Sequence, residues 1–142
     1  MKTDYTNSKK APVVACFVKH GDKFLLLKRS DKVLAYKNLW SSLAGFLDDS
    51  KSVREKAIEE ITEEIGLKES DIVRLVEGPV YVFKDEAIGR EWERHLVLVE
   101  VSNSNITLNW EHTEYKWVTP EEISQYETTP GLAADLEKVK NL

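Results

Sequence analysis

Thiol chemistry is nearly absent from this chain, whose 142 residues include one cysteine, Cys16. A lone thiol closes no internal disulfide and builds no thiolate zinc site, so neither an oxidising compartment nor a zinc ribbon is called for. His20, His95 and His112 match no zinc spacing either. Long apolar runs are also missing. No stretch approaches the ~18 residues that span a bilayer, and the polar start MKTDYTNSKK has no signal-peptide core, so a soluble, cytoplasmic protein without a membrane partner is expected. Positive charge is in deficit, with 20 Lys and Arg against 25 Asp and Glu and a formal net charge of −5. That balance argues against stable nucleic-acid binding, which needs a basic surface. The cluster Arg90, Trp92, Arg94 and His95 is too small a patch, and on a strand half of it turns inward. Repeats, low-complexity tracts and linkers are absent.

What remains is ordinary globular composition, 42% hydrophobic with four Trp, five Tyr and four Phe, at a length that suits one domain over residues 1–142 with a flexible start at 1–10. Residues 11–19, APVVACFVK, form an apolar run suited to a buried strand. The turn His20-Gly21-Asp22-Lys23 and a second run, FLLLKR, complete a hairpin. Residues 31–39 read as a loop with Leu34, Tyr36 and Leu39 packed beneath it, and a short strand at Leu39–Leu43 leads into Ala44-Gly45-Phe46-Leu47 and the acidic turn Asp48-Asp49-Ser50. From Lys51 or Ser52 to Ile65, the stripe Val53, Ala57, Ile61 and Ile65 predicts a helix, with Gly66 placed to end it. Strands are expected at Ile72–Val76, Val80–Lys84, Glu93–Val101 and Tyr115–Val118. Helices should start at Thr119-Pro120-Glu121-Glu122 and behind Thr129, the latter with Pro130 in its first turn and running to the end. The fold class is α/β or α+β, a mixed sheet with one long central helix.

The helix carries the chemistry. In Glu59-Glu60-Ile61-Thr62-Glu63-Glu64, residues 60 and 64 lie one turn apart on one face, with 63 beside 60. Like charges at these spacings cost a helix roughly 0.2–0.5 kcal/mol per pair, a cost that a hard divalent cation with oxygen ligands would reverse. A run of Glu alone is more often a solvated face, and Lys56 can pair with Glu60 at i+4.

The surrounding residues change that weighting. From Gly45 to Leu67 the chain resembles the Nudix box, G-x5-E-x7-R-E-U-x-E-E-x-G-U with U aliphatic: Gly45, Glu60, Ile61, Glu63, Glu64, Gly66 and Leu67 match, seven of nine defined positions. The resemblance implies a Nudix fold, a mixed sheet between helices with the box as loop-helix-loop. It implies a metal-dependent hydrolase, using Mg2+ (or Mn2+), that cleaves a diphosphate linkage in a nucleotide-like substrate. Glu60, Glu63 and Glu64 would hold metal, and the loop at Ala44 and Gly45 would bring backbone close to it. The general base would be a box glutamate (Glu60 or Glu63) or a downstream one, Glu111 in preference to Glu114. Arg29, ending a strand, is a candidate phosphate contact, although solvation is the commoner fate of such a residue; Trp92, Phe83 and Tyr36 are candidates to stack on a base, although aromatics in a small domain are more often core. The small chain favours a MutT-like nucleoside triphosphate pyrophosphatase, and homodimerisation is compatible with it.

Two positions depart from the box: Lys51 stands for its first Glu and Glu59 for its Arg. Glu59 is expected to repel Glu60, relieved if Lys51, Arg54 or Lys56 neutralises either carboxylate. Reduced turnover or a shifted metal requirement follows, with Glu59→Arg as the restoring change. The departures also motivate a competing reading, a catalytically silent Nudix domain that binds a nucleotide or protein. A second competitor resembles isopentenyl diphosphate isomerase, on LLLKRS and KNLWSSLAGF, but Ser41, Ser42 and Leu43 follow Trp40 where that chemistry uses a Cys.

Overall fold

The structure, a computed structural model, describes residues 10–47, 50–86 and 88–142. Residues 1–9 of the expected flexible start and the Asp48-Asp49 part of the acidic turn lie outside the described residues, while Lys10 already belongs to the first strand. β1 (Lys10–His20) is the central strand, and its continuous apolar run is buried on both faces. Beyond the turn at Gly21, φ +66, β2 (Lys23–Arg29) returns, but it pairs with β1 only at Lys19–Phe24 and His20–Lys23. It then diverges to pair with β3 (Trp40–Ser41) and β7 (His112–Val118). The edge of β1 so vacated is taken by β4 (Leu43–Phe46), from Val13–Phe46 to Cys16–Leu43. The sheet therefore forks. The single strand expected at Leu39–Leu43 is two, broken at Ser42 because the chain changes partner there.

On its other edge β1 runs parallel to β6 (Arg90–Val101), which carries β5 (Ile72–Asp85) antiparallel outside it. The two strands expected before and after Gly78-Pro79 are one strand with a register shift between Glu77 and Val80. The result, among the described residues, is a mixed seven-stranded sheet, as the sequence predicts.

Alternation along β1 assigns the two faces. Val14, Cys16 and Val18 face α1 (Val53–Ile65), whose Ala57, Ile61 and Ile65 are fully buried against them. The helix starts at Ser52, whose hydroxyl and Glu55 form a capping box, and ends at Gly66 with φ +70. Ala15 and Phe17 face the opposite way, toward Ile123 in a 3-10 helix (Pro120–Gln125) and toward α2 (Leu132–Val139). The Thr119 start holds, with Glu122 Oε1 accepting from the Thr119 backbone N–H at 2.9 Å. The later start does not: α2 begins at Leu132 and stops at Val139, because Gly131 takes φ +83, incompatible with a helical turn running through it from Pro130. In the 31–39 loop Val33 packs inward, whereas Leu34 is 92% exposed.

Candidate active site

α1 presents Lys56, Glu60 and Glu64, each four residues after the last, along one line that points into the fork of the sheet. All three are buried although each is an ionisable group. Gly45 makes this possible. It lies within β4, opposite Val14, rather than in a loop, and a Cβ there would fall 2.4 Å from Glu60 Oε1. The absence of a Cβ at this position leaves the space that the Glu60 side chain occupies.

Two further strands close the cluster. Glu111 sits in the turn before β7, its N–H donating to Asn109 Oδ1 at 3.1 Å. Arg29 ends β2 and donates through Nε to the Ala35 carbonyl at 2.9 Å. It is half-buried and lines the same cavity, so solvation is not its fate. Burial draws its pKa down while Glu111 and Glu64 push it back up. Glu64 is the centre of this arrangement. Burial holds its carboxyl far above the usual range, and hydrogen bonding and charge from Glu60 and then Glu111 raise it further. Its Oε2 meets no donor among the described residues. Burial and Glu60 also raise Glu111, against the pull of Arg29. His112, buried with its Nδ1 4.0 Å from Glu64 Oε1, is lowered by burial and by Arg29 to about 4 and is therefore neutral. Glu63 is exposed at the cavity rim, and Glu114 is elsewhere, paired with Lys28 at 3.5 Å.

Glu64, with an oxygen that meets no donor and with Glu60 and Glu111 as its acidic neighbours, has the oxygen chemistry that a hard divalent cation takes. Among the described residues no three such side chains already converge as a finished ligand set. Beside Arg29, positive charge comes from Lys56, whose Nζ lies 2.8 Å from Glu60 Oε1 and 3.3 Å from Glu59 Oε2. Burial alone would lower the Lys56 pKa, but these two partners raise it overall. The two departures from the box meet here: Lys51 Nζ lies 3.2 Å from Glu59 Oε2. The repulsion expected between Glu59 and Glu60 is thus offset by Lys51 and Lys56.

The cavity, about 920 Å3, extends from these carboxylates across the sheet face to a floor of Phe46, Trp92 and Arg94, with Tyr36 and Asp85 at its end. That volume is in the range of small-molecule sites. Of the aromatics singled out in the sequence, Trp92 and Tyr36 line it, while Phe83 lies beneath Arg94 at 4.3 Å. Arg90, Trp92 and Arg94 share the cavity face, and His95 alternates away to Glu93 at 2.9 Å. Buried Asp85 and Asp135 were not foreseen; an isolated acid at a strand end or on a helix gives no signal. Cys16 is buried on the α1 side, its thiol pushed well up by burial and by Glu60 and Glu64, which leaves it inert.

Known proteins agree with this geometry. The NUDIX domain pattern matches residues 9–139. Nucleoside triphosphatase NudI of Salmonella paratyphi B is 27% identical over 121 residues, covering 81% of this chain and 86% of its own. The MutT NUDIX hydrolase of Burkholderia pseudomallei superposes with a TM-score of 0.78 at 21% identity, over 93% of this chain and 99% of that one. The C. elegans Ap4A hydrolase superposes with a TM-score of 0.73 at 18% identity, over 92% and 96%. With its box on α1 and its carboxylates gathered in the fork of the sheet, this chain belongs to the Nudix family of hydrolases.

Proposed function

We propose that this enzyme hydrolyses a nucleoside triphosphate to the monophosphate and pyrophosphate, with Mg2+ or Mn2+ held by Glu60, Glu63 and Glu64. The observation that carries this reading is the single cavity that joins a carboxylate cluster, flanked by Arg29, to an aromatic floor. The name of the Salmonella relative, a nucleoside triphosphatase, supports it.

A divalent ion supplies charge to draw the carboxylates together and to polarise a phosphoryl oxygen. The chain's own residues do the rest. Arg29 offers its free guanidinium N–H groups to a phosphate oxygen, a charge-assisted contact at the end of a fixed strand. Glu111 accepts the proton of the attacking water. Its pKa, raised by burial and by Glu60, brings it toward the operating pH, where a general base is most effective. Lys56 holds Glu60 in place through the 2.8 Å contact with its Oε1. The mutual pairing of Lys51 and Glu59 supports the enzyme reading over a silent binding domain.

The test is a panel of nucleoside triphosphates, ADP-ribose and dinucleoside polyphosphates with Mg2+ or Mn2+, watched for release of phosphate or pyrophosphate. Pyrophosphate from triphosphates, dependent on metal and reduced at least ~100-fold by Glu63→Gln and Glu64→Gln, is expected. Absence of turnover, with nucleotide still raising the melting temperature, would overturn the reading in favour of a binding module.

A further inference from the structure

Resting on that reading, the geometry points to the floor of Phe46 and Trp92 as the nucleobase subsite, with Asp85 at its end selecting bases that present an amino group. Register places these side chains together. Phe46 stands opposite Val13, Val13 opposite Arg94, Trp92 opposite Phe83, and Asp85 opposite Arg90, so they share one face of the sheet. The Phe46 and Trp92 ring centres are 6.1 Å apart with planes 33° from parallel, and the Arg90 guanidinium lies 4.9 Å from the Trp92 centre. Phe46 is 37% exposed inside the cavity. A planar heteroaromatic ring is the ligand that such a surface recognises without regard to base identity.

Identity is read at the end of the floor. Asp85 is 4% exposed, yet among the described residues its carboxylate receives hydrogen bonds only from neutral donors: the Tyr36 hydroxyl at 2.6 Å from each oxygen and the Trp92 indole at 3.4 Å. The other buried aspartate of this face, Asp135, has the Arg94 guanidinium at 2.6 Å as well as the Tyr81 hydroxyl. Asp85 thus retains acceptor capacity beside a stacking surface, and an ionised carboxylate only accepts. Adenine, guanine and cytosine carry an amino group that can donate to it. Uracil and thymine offer one ring N–H between two carbonyls, whose oxygens the carboxylate repels. Tyr36 is committed to this arrangement at the cost of a left-handed backbone, φ +55, which is uncommon for an aromatic residue.

The experiment is calorimetric binding of α,β-methylene nucleoside triphosphates and inorganic tripolyphosphate with Mg2+, to the intact chain and to Trp92→Leu, Trp92→Phe, Phe46→Leu and Asp85→Asn. Loss of the stacked ring in Trp92→Leu or Phe46→Leu should weaken nucleotide binding roughly 5- to 100-fold and leave tripolyphosphate unchanged. Trp92→Phe, which keeps a ring, should stay within about threefold. The cytosine analogue should bind at least ~10-fold tighter than the uracil analogue, and Asp85→Asn, whose amide also donates, should reduce that ratio to about threefold or less. If Trp92→Leu does not fold, Phe46→Leu and Trp92→Phe carry the test. Equal affinity for tripolyphosphate and nucleotides, or a cytosine preference intact in Asp85→Asn, would overturn the subsite. Turnover of triphosphates with ring-independent binding sinks the subsite alone. Ring-dependent binding without turnover upholds the subsite and sinks the hydrolase reading.

Discussion

Glu59→Arg, the change that restores the family pattern at one position, should damage this protein rather than improve it. Glu59 accepts from two cations, Lys51 at 3.2 Å and Lys56 at 3.3 Å. At that separation a unit pair is worth about 1.3 kcal/mol at the dielectric of water and about 5 kcal/mol at an effective value of 20. Lys51 is partly solvated, which puts its contact near the lower figure. The substitution removes two such attractions and sets a guanidinium against two ammonium groups, for a total loss of about 3 kcal/mol, or roughly 10 °C in melting temperature for a domain of this size. Lys51→Glu alone forfeits one attraction and adds one repulsion, about 1–2 kcal/mol, with Lys56 still in place. Combined, the two changes recreate the ion pair with its polarity reversed, so the double variant should lose only about 1 kcal/mol. Urea unfolding of the four proteins at low and high salt measures the coupling energy. About 3–4 kcal/mol is expected, shrinking with salt. Single effects that add to within about 0.5 kcal/mol would refute the idea that the two departures compensate one another.

Glu64 supplies a second expectation. Its folded pKa is raised above the ordinary carboxyl value of 4.5 by burial and by neighbouring Glu60 and Glu111, so the folded chain holds a proton that the unfolded chain releases. Stability of the metal-free protein should therefore decline as pH rises above about 4.5, and Glu64→Gln, neutral at all pH, should shrink that decline to the share of Glu111 and melt higher at pH 8 in EDTA. A wild-type melting temperature at least as high as that of Glu64→Gln at pH 8 would contradict it. Gly45→Ala should also be costly, because its Cβ would meet Glu60 Oε1 at 2.4 Å: about 1–3 kcal/mol in urea unfolding and at least ~10-fold in turnover. An unchanged variant would mean that Glu60 can shift without consequence.

Local features of the fold were legible in the sequence. The hairpin about Gly21, the stripe of α1, the cap at Gly66 and the box spacing are properties of neighbouring residues. The fork was not legible, since nothing in APVVACFVK says that one edge of the strand changes from β2 to β4 midway. Partner choice depends on residues far along the chain. The same reason hid the use of Gly45, which is set by a side chain fifteen positions away on another element. The start of α2 was misplaced because a Pro in the first turn is a strong signal, and the positive φ of Gly131 outweighed it. The carboxylates Glu60, Glu64 and Glu111, with Arg29, are named from the sequence; that they come close enough to perturb one another is a product of the tertiary fold.

The parallel pairing of β1 with β6 has a kinetic consequence. It joins partners about 80 residues apart, Lys10 opposite Glu91, and such pairings form late because the long loop must close first. The turn before β7 is carried to α1 by the β2–β7 pairing, which also joins residues far apart in the chain, Arg29 opposite His112, so the repulsion among the carboxylates weighs little on the early, locally structured chain. Whatever relieves that repulsion acts after the rate-limiting step. A cation at this site should therefore leave the refolding rate nearly unchanged and lengthen the lifetime of the folded enzyme.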